Sequence, residues 1–344
     1  MKIHASALSE PVRIGLIGAG RIGTAHAATL ARRVPGARLI AIADPRLGAA
    51  EAIATPLGVR GATDPANLFS DPEIEAVVIA ASSSSHTKLI LAAIAAGKAV
   101  FCEKPMAETL EDADRTIAAA KSAGLPLQVG FNRRFARDFR EAHDLIAAGG
   151  IGTPQLMRST TRDPGLADPS QVPRWTIFTQ TLIHDFDTIN WLNPRAEPVE
   201  VYATADALVA PDFKDAGLLD TAVVLVKFDN GAFATAEANF SAAYGYDVRA
   251  EVFGSGGMLS VGSTALTGVT HYTAEGRSQK TVRSDVELFC DAYAGEFASF
   301  VDAVRSGEEP YVTGVDARRA LAIALACIES YQTHGPVLIE KKGL

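Results

Sequence analysis

Over the first 130 positions the apolar residues fall in short continuous runs. VRIGLI (12–17), LIAIAD (39–44), EAVVIAA (75–81), AVFCE (99–103) and LQVGF (127–131) have the length and branched composition of strands buried on both faces. Between them lie helical stretches at 47–57, 86–96 and 110–122 and one opening at Arg21, with Gly97 and Gly124 where two of them should stop. Strand and helix in alternation predict a doubly wound parallel α/β sheet. From about position 150 the rhythm changes. Runs at 155–161, 199–209, 221–228, 231–241, 248–254 and 257–262 follow one another with little helix between, which predicts an antiparallel or mixed sheet. Helices are expected at 181–192, 286–306 and 315–333. The expected division is a first domain over 1–130 and a second over 131–344, with the last helices free to pack back on the first. At 344 residues, 48% of them hydrophobic, the chain can fill two cores.

The first strand runs into glycines at a telling spacing. In VRIGLIGAGRIG, Gly18 permits a tight turn, Gly20 lets backbone approach a pyrophosphate, and Gly23 lets helix and strand pack closely, with Arg21 and Ile22 in the first helical turn. Asp44 follows roughly 20 residues later, where a second strand should end and present a carboxylate to ribose hydroxyls. The pattern predicts a dinucleotide-binding Rossmann domain. A carboxylate at that place repels a 2′-phosphate and so favours NAD, although Arg46 leaves NADP open.

Charge and cysteine usage narrow the partners. A formal net charge of −8 gives no footprint for nucleic acid or an anionic membrane. No apolar run approaches the roughly 20 residues needed to span a bilayer, and residues 1–11 lack an apolar signal core, so a cytoplasmic protein is expected. Cys102, Cys290 and Cys327 are far apart with no CxxC and no Cys/His cluster, so neither a disulfide framework nor a metal site is expected.

A second candidate site is Glu103-Lys104-Pro105, at the carboxyl end of the AVFCE strand. Open α/β sheets bind ligands beyond those ends, so Lys104 should share a rim with the glycine loop. A partly desolvated lysine there can hydrogen-bond or exchange a proton with a substrate hydroxyl.

Taken together, VRIGLIGAGRIG, AASSSSH (80–86), GKAVFCEKP (97–105), GFNRRF (130–135) and LIHDFD (182–187) resemble the Gfo/Idh/MocA oxidoreductases and, within them, the inositol-dehydrogenase branch. The resemblance covers nearly the whole chain in order. It implies a Rossmann domain followed by an α/β domain with an open, mostly antiparallel (mixed) sheet, NAD(P)-linked oxidation of a polyol or sugar hydroxyl, and a homo-oligomer, dimer or tetramer. Lys104 matches the lysine at the nicotinamide that touches the reacting hydroxyl, and His184 matches the catalytic base. Ser82, Ser84 and His86 fall on a loop bordering the nicotinamide half of the cofactor, and Glu103 and Pro105 flank the lysine on the cofactor side. Arg162 and Asp163 match a segment lying over the sugar, and Arg133 and Arg134 are expected at the cleft, one of them structural across the domain boundary.

One position departs from the pattern. Inositol-type members commonly carry aspartate four residues before the histidine, and Gln180 stands there instead. Positions i and i+4 share a helix face, so Gln180 can hydrogen-bond toward substrate or His184, yet it cannot take a proton. The expected activity is NAD-dependent oxidation of a secondary hydroxyl of a cyclic polyol or sugar. The alternatives are a glycoside-cleaving enzyme with transient redox and a non-catalytic NAD(P)-binding sugar sensor.

Overall fold

The structure is a computed structural model and describes residues 10–339. The chain divides into two compact units. The first comprises the residues up to Gly130 together with Tyr293–Val315, and the second Phe131–Ala292 with the residues from Asp316 onward.

In the first unit the elements run β1 (Val12–Ile17), α1 (Arg21–Arg32), β2 (Ala37–Ala43), α2 (Ala49–Leu57), β3 (Arg60–Ala62), α3 (Ala66–Phe69), β4 (Ala76–Ile79), α4 (Ser83–Ala95), β5 (Ala99–Cys102), α5 (Leu110–Ala123) and β6 (Leu127–Val129). The strands form one parallel sheet in the order β3-β2-β1-β4-β5-β6. Strand order reverses between β1 and β4, the switch point where such sheets take ligands. β4 and β5 are buried at every residue, as a central parallel strand with helices on both faces must be. The continuous apolar runs of the sequence have this cause. The sequence pattern passed over β3 and α3, which at three and four residues are too short to show a period.

In the second unit α6 (Arg137–Ala147) precedes β7 (Pro154–Arg162), α7 (Leu182–Trp191), β8 (Pro198–Asp206), β9 (Thr221–Phe228), β10 (Phe233–Asn239), β11 (Asp247–Gly254), β12 (Gly257–Val261), β13 (Ala265–Thr273) and β14 (Gly276–Thr281). Then come α8 (Asp285–Leu288), α9 (Cys290–Ser306), α10 (Gly314–Thr333) and β15 (Val337–Leu338). From Tyr293 to its end α9 belongs to the first unit, where Phe297, Phe300 and Val301 join the core around Ile14, Leu16 and Phe101.

The second unit's main sheet runs β12-β11-β7-β10-β9-β8-β15. It is mixed, antiparallel except for the parallel pair β7–β10. Alternation along the strands separates its faces. Ser159 and Thr161 of β7 point to α7, whereas Leu156, Arg158 and Arg162 belong to the opposite face, which carries apolar residues 42–56% exposed. Sequence patterning overlooked α6, although Phe139, Ala142 and Ile146 fall at helical spacing on its buried face, and it overlooked the β13–β14 hairpin, whose residues are mostly exposed. Among the described residues no helix is long and apolar enough to cross a membrane.

Candidate active site

At the carboxyl ends of β1, β2 and β4 a cavity of about 780 Å³ is lined by Gly18, Gly20, Asp44, Arg46, Ser82 and Lys88, among others. The three glycines have three different constraints. Gly18 has φ +107°, and a Cβ there would lie 2.3 Å from the Ala80 carbonyl oxygen, while a Cβ on Gly23 would lie 2.1 Å from the Gly18 oxygen. Both positions exclude a side chain. Around Gly20 no atom of the described residues beyond its immediate chain neighbours and its own helix lies within 4 Å of such a Cβ, so the space before its backbone is open. Gly20 is also the N-cap of α1, where no side chain caps the helix. Open space facing a helix N-terminus suits a pyrophosphate.

Asp44, 4% exposed, closes the cavity on the β2 side. Its carboxylate accepts the Ala19 N–H at 2.7 Å and the Arg46 N–H at 2.9 Å. The Arg46 guanidinium grips both oxygens at 2.9 Å each, and with these hydrogen bonds Asp44 is held at about 2, well below an ordinary carboxylate. Arg46 thus pairs with Asp44 in this structure. Arg21 and Ile22 stand in the first turn of α1 as expected, and Ser82 lies at the N-cap of α4. Ser84 is exposed in the first turn of that helix; Ser82 and Ser85 are the serines that line the cavity.

Two residues expected against the cofactor are buried instead. His86, 1% exposed, sets its ring nitrogens 2.7 Å from the Pro105 carbonyl oxygen and 3.1 Å from that of Ala81, so it ties α4 to the turn after β5. Burial lowers its basicity. Glu103 accepts from His26 Nε2 at 2.6 Å inside the unit. What these buried groups leave at the surface is Lys104. Residues 98–107 are buried at every position but that one.

The second unit shows the same arrangement around His184. Residues 182–193 are buried at every position except His184, whose ring meets Phe131 edge-on at 5.8 Å. Side-chain bonds on both flanks fix α7. Asp185 accepts Arg133 Nη1 at 2.9 Å, Ser159 Oγ at 2.5 Å and Thr161 Oγ1 at 2.7 Å, and Thr161 in turn accepts Arg133 Nη2 at 2.6 Å. Asp187 receives a two-point contact from Arg134 at 2.9 and 2.6 Å, and Arg134 also reaches Asp316 at 3.0 Å. Arg133 and Arg134 therefore both hold α7, inside the second unit. Arg133 is 2% exposed with its guanidinium taken, which corrects the expectation that it lines a cleft. Sequence reasoning also missed Asp185 and Asp187. The signal was there, since two carboxylates inside so apolar a helix need cationic partners.

The helix before His184 is irregular. Residues Ile177–Thr181 form a π-helical turn, entered from Trp175 in the left-handed region at φ +72°, whose carbonyl accepts from the Phe178 and Thr179 N–H groups. Gln180 is half-buried within this turn. Such turns and strained backbone cluster at functional sites. The pair at 162–163 is divided by strand alternation. Arg162 lies on the face opposite α7, bonded to Glu237 and to Tyr244 Oη at 3.1 Å, so the structure does not bring it to His184. Asp163 follows on the α7 side, near buried Tyr246, whose hydroxyl is kept protonated by burial and by that carboxylate.

Known proteins match nearly the whole chain. Residues 12–131 match the model described as an oxidoreductase family with NAD-binding Rossmann fold, and residues 139–260 match the GFO/IDH/MocA C-terminal domain. The chain is 38% identical over 334 residues to a myo-inositol 2-dehydrogenase of Thermotoga maritima, covering 96% of this chain and 99% of that one. It is 35% identical over 338 residues to a scyllo-inositol 2-dehydrogenase (NAD(+)) of Bacillus subtilis, covering 97% and 98%. A crystal structure of scyllo-inositol dehydrogenase from Lactobacillus casei with bound NAD(H) and scyllo-inositol superposes with a TM-score of 0.92 at 29% identity, covering 96% and 99%. By sequence and by fold, this chain belongs to the Gfo/Idh/MocA oxidoreductase family.

Proposed function

We propose that the protein is an NAD-dependent dehydrogenase that oxidises a secondary hydroxyl of an inositol or a related cyclic polyol to a ketone. The observation that carries this reading is the pair of buried runs, each opened at one residue able to handle a proton, Lys104 and His184. NAD, when bound, supplies the hydride acceptor. The backbone from Gly18 to Gly23 and the N-terminus of α1 hold the pyrophosphate, and Asp44 faces the adenosine ribose. The Lys104 ammonium donates a hydrogen bond to the reacting oxygen. His184 takes the hydroxyl proton as hydride leaves the carbon, a task that suits an imidazole as general base. Gln180, one turn earlier, binds a neighbouring hydroxyl through its amide and takes no proton. Asp163 lies on the same side of the sheet and offers acceptor sites to a polyhydroxylated ring. The inositol complexes among the relatives favour this reading over transient redox on a glycoside and over sensing.

We further propose self-association through the open face of the second sheet. Met258, Phe253, Leu156 and Phe233 sit side by side across four adjacent strands, each 42–56% exposed. An apolar row of this kind marks an interface. Phe253→Lys should lower the mass measured by light scattering.

The test of the activity is NADH formation by purified protein with NAD or NADP and a panel of inositols and aldoses. Reduction of NAD by at least one inositol is expected. No reduction with any polyol, in protein that binds NAD, would defeat the reading.

A further inference from the structure

Behind Lys104 lies a group of buried ionisable side chains that the chemistry above does not use. His26 on α1, Glu103 at the end of β5 and Glu296 on α9 present ligand-type atoms all within 4.8 Å of one another. His26 and Glu296 are 0% exposed and Glu103 is 7% exposed. Aromatic rings surround the histidine, with Phe297 edge-on at 4.8 Å, Tyr293 at 5.4 Å and Phe101 at 6.3 Å. His26 Nε2–H donates to Glu103 Oε1 at 2.6 Å, and the other Glu103 oxygen accepts the Lys104 backbone N–H at 3.2 Å. Both Glu296 oxygens are buried without a hydrogen-bond partner among the described residues. Gly130 passes so close that a Cβ there would lie 3.3 Å from the Glu103 carboxyl carbon. The cluster is packed and polar.

We propose that His26 and Glu296 are positioning residues that fix the Glu103 carboxylate and, through it, Lys104. The proposal rests on the role given to Lys104 above. Two carboxylates this close cannot both be charged in an apolar interior, so the pair holds one negative charge. Its place follows from the neighbours. Glu103 is faced by His26 from α1, His86 from α4 and Lys104 beside it, which together outweigh burial and keep it below an ordinary carboxylate. At Glu296, burial and the Glu103 charge push the carboxyl well above the carboxylate range, so it keeps its proton. The neutral acid lets Glu103 remain charged beside the lysine without a second anion. α1 begins at the glycine loop and carries His26, so one helix joins that loop to the carboxylate behind Lys104.

Glu103→Gln removes an anion that interacts electrostatically with the lysine. Glu103→Gln should move the alkaline limb of kcat to lower pH by about one unit, with NAD affinity within a few-fold of the native enzyme. Glu296→Ala should lower kcat about tenfold, and Glu296→Gln, which keeps a neutral group of the same shape, should restore it. Stability gives a reading independent of turnover. The unfolded chain releases the Glu296 proton near the ordinary value of 4.5 while the folded chain retains it, so this residue destabilises the fold increasingly as pH rises. The Tm of Glu296→Gln relative to native protein should therefore climb with pH above that value. A flat difference, an alkaline limb unmoved in Glu103→Gln, or a Glu296→Gln as slow as Glu296→Ala would each overturn the proposal. Undiminished turnover in Lys104→Met would instead overturn the role of the lysine, and the pH dependence of Tm would still report separately on the Glu296 proton.

Discussion

The two units build their parts of the site by different means. In the first, backbone shapes the cavity: Gly18 turns, Gly23 admits the Gly18 carbonyl and Gly20 leaves space, all within six residues of one another. In the second, charged side chains do it: Arg133 grips Asp185 and Arg134 grips Asp187 across more than fifty positions of sequence. Lys104 and His184 are each the single opening in a buried run. Backbone constraints leave a whole local signature in the sequence, whereas an ion pair leaves half of one, here the carboxylates of Asp185 and Asp187 in an apolar helix. A glycine loop can therefore be recognised from its spacing, whereas the partners of the α7 carboxylates are recognised only from contacts.

Substitutions can disturb this contrast at either end. The largest stability effect is expected from Arg134→Met, which strands a buried Asp187 carboxylate and should cost about 3–5 kcal/mol in urea unfolding. A cost below about 1 kcal/mol would mean that the clamp does not hold α7. Next comes Gly18→Ala. Positive φ and contact with the Ala80 carbonyl should together cost about 2–4 kcal/mol, read as a lowered Tm. Gly20→Ala, with open space around it, should leave stability within about 0.5 kcal/mol and weaken NAD binding at least about tenfold by calorimetry. Equal stability losses in the two glycine variants would remove the distinction drawn between them.

Asp44 gives a pH-dependent effect of intermediate size. Its carboxyl stands at about 2 in the folded chain against an ordinary 3.8, so its contribution is present above 3.8 and lost as pH falls toward 2. Asp44→Asn should cost about 2 kcal/mol at neutral pH, with the gap to native protein closing through that acid window. The smallest effect is expected from Gln180→Asp. A carboxylate at this position should raise kcat/KM on myo-inositol a few-fold, and no gain on any inositol would count against Gln180 as a recognition residue.

How much the sequence disclosed follows the same division. The strands of the first unit, the three glycines, Asp44 and the Lys104 turn were legible because each depends on neighbours in sequence. His184 was legible only through its motif. Glu103 and His86 were placed at the cofactor because they adjoin Lys104 and the serine loop, yet strand geometry turns Glu103 toward His26 and burial turns His86 toward Pro105. Arg162 was misplaced for a related reason: side chains alternate across a sheet, and its neighbour Thr161, not Arg162, faces α7. The π-turn over Ile177–Thr181 had no signal in the sequence pattern, since its hydrophobic spacing reads equally as ordinary helix.

On the proposed mechanism, Lys104 and His184 act on the substrate hydroxyl and have little part in holding the cofactor. Single-turnover hydride transfer from an inositol in Lys104→Ala and His184→Ala, with NAD affinity measured on the same proteins, separates these two roles. Transfer should slow at least about a hundredfold in each, with the NAD dissociation constant changed less than about fivefold. Normal transfer at saturating NAD, with affinity as the property lost, would contradict the assignment.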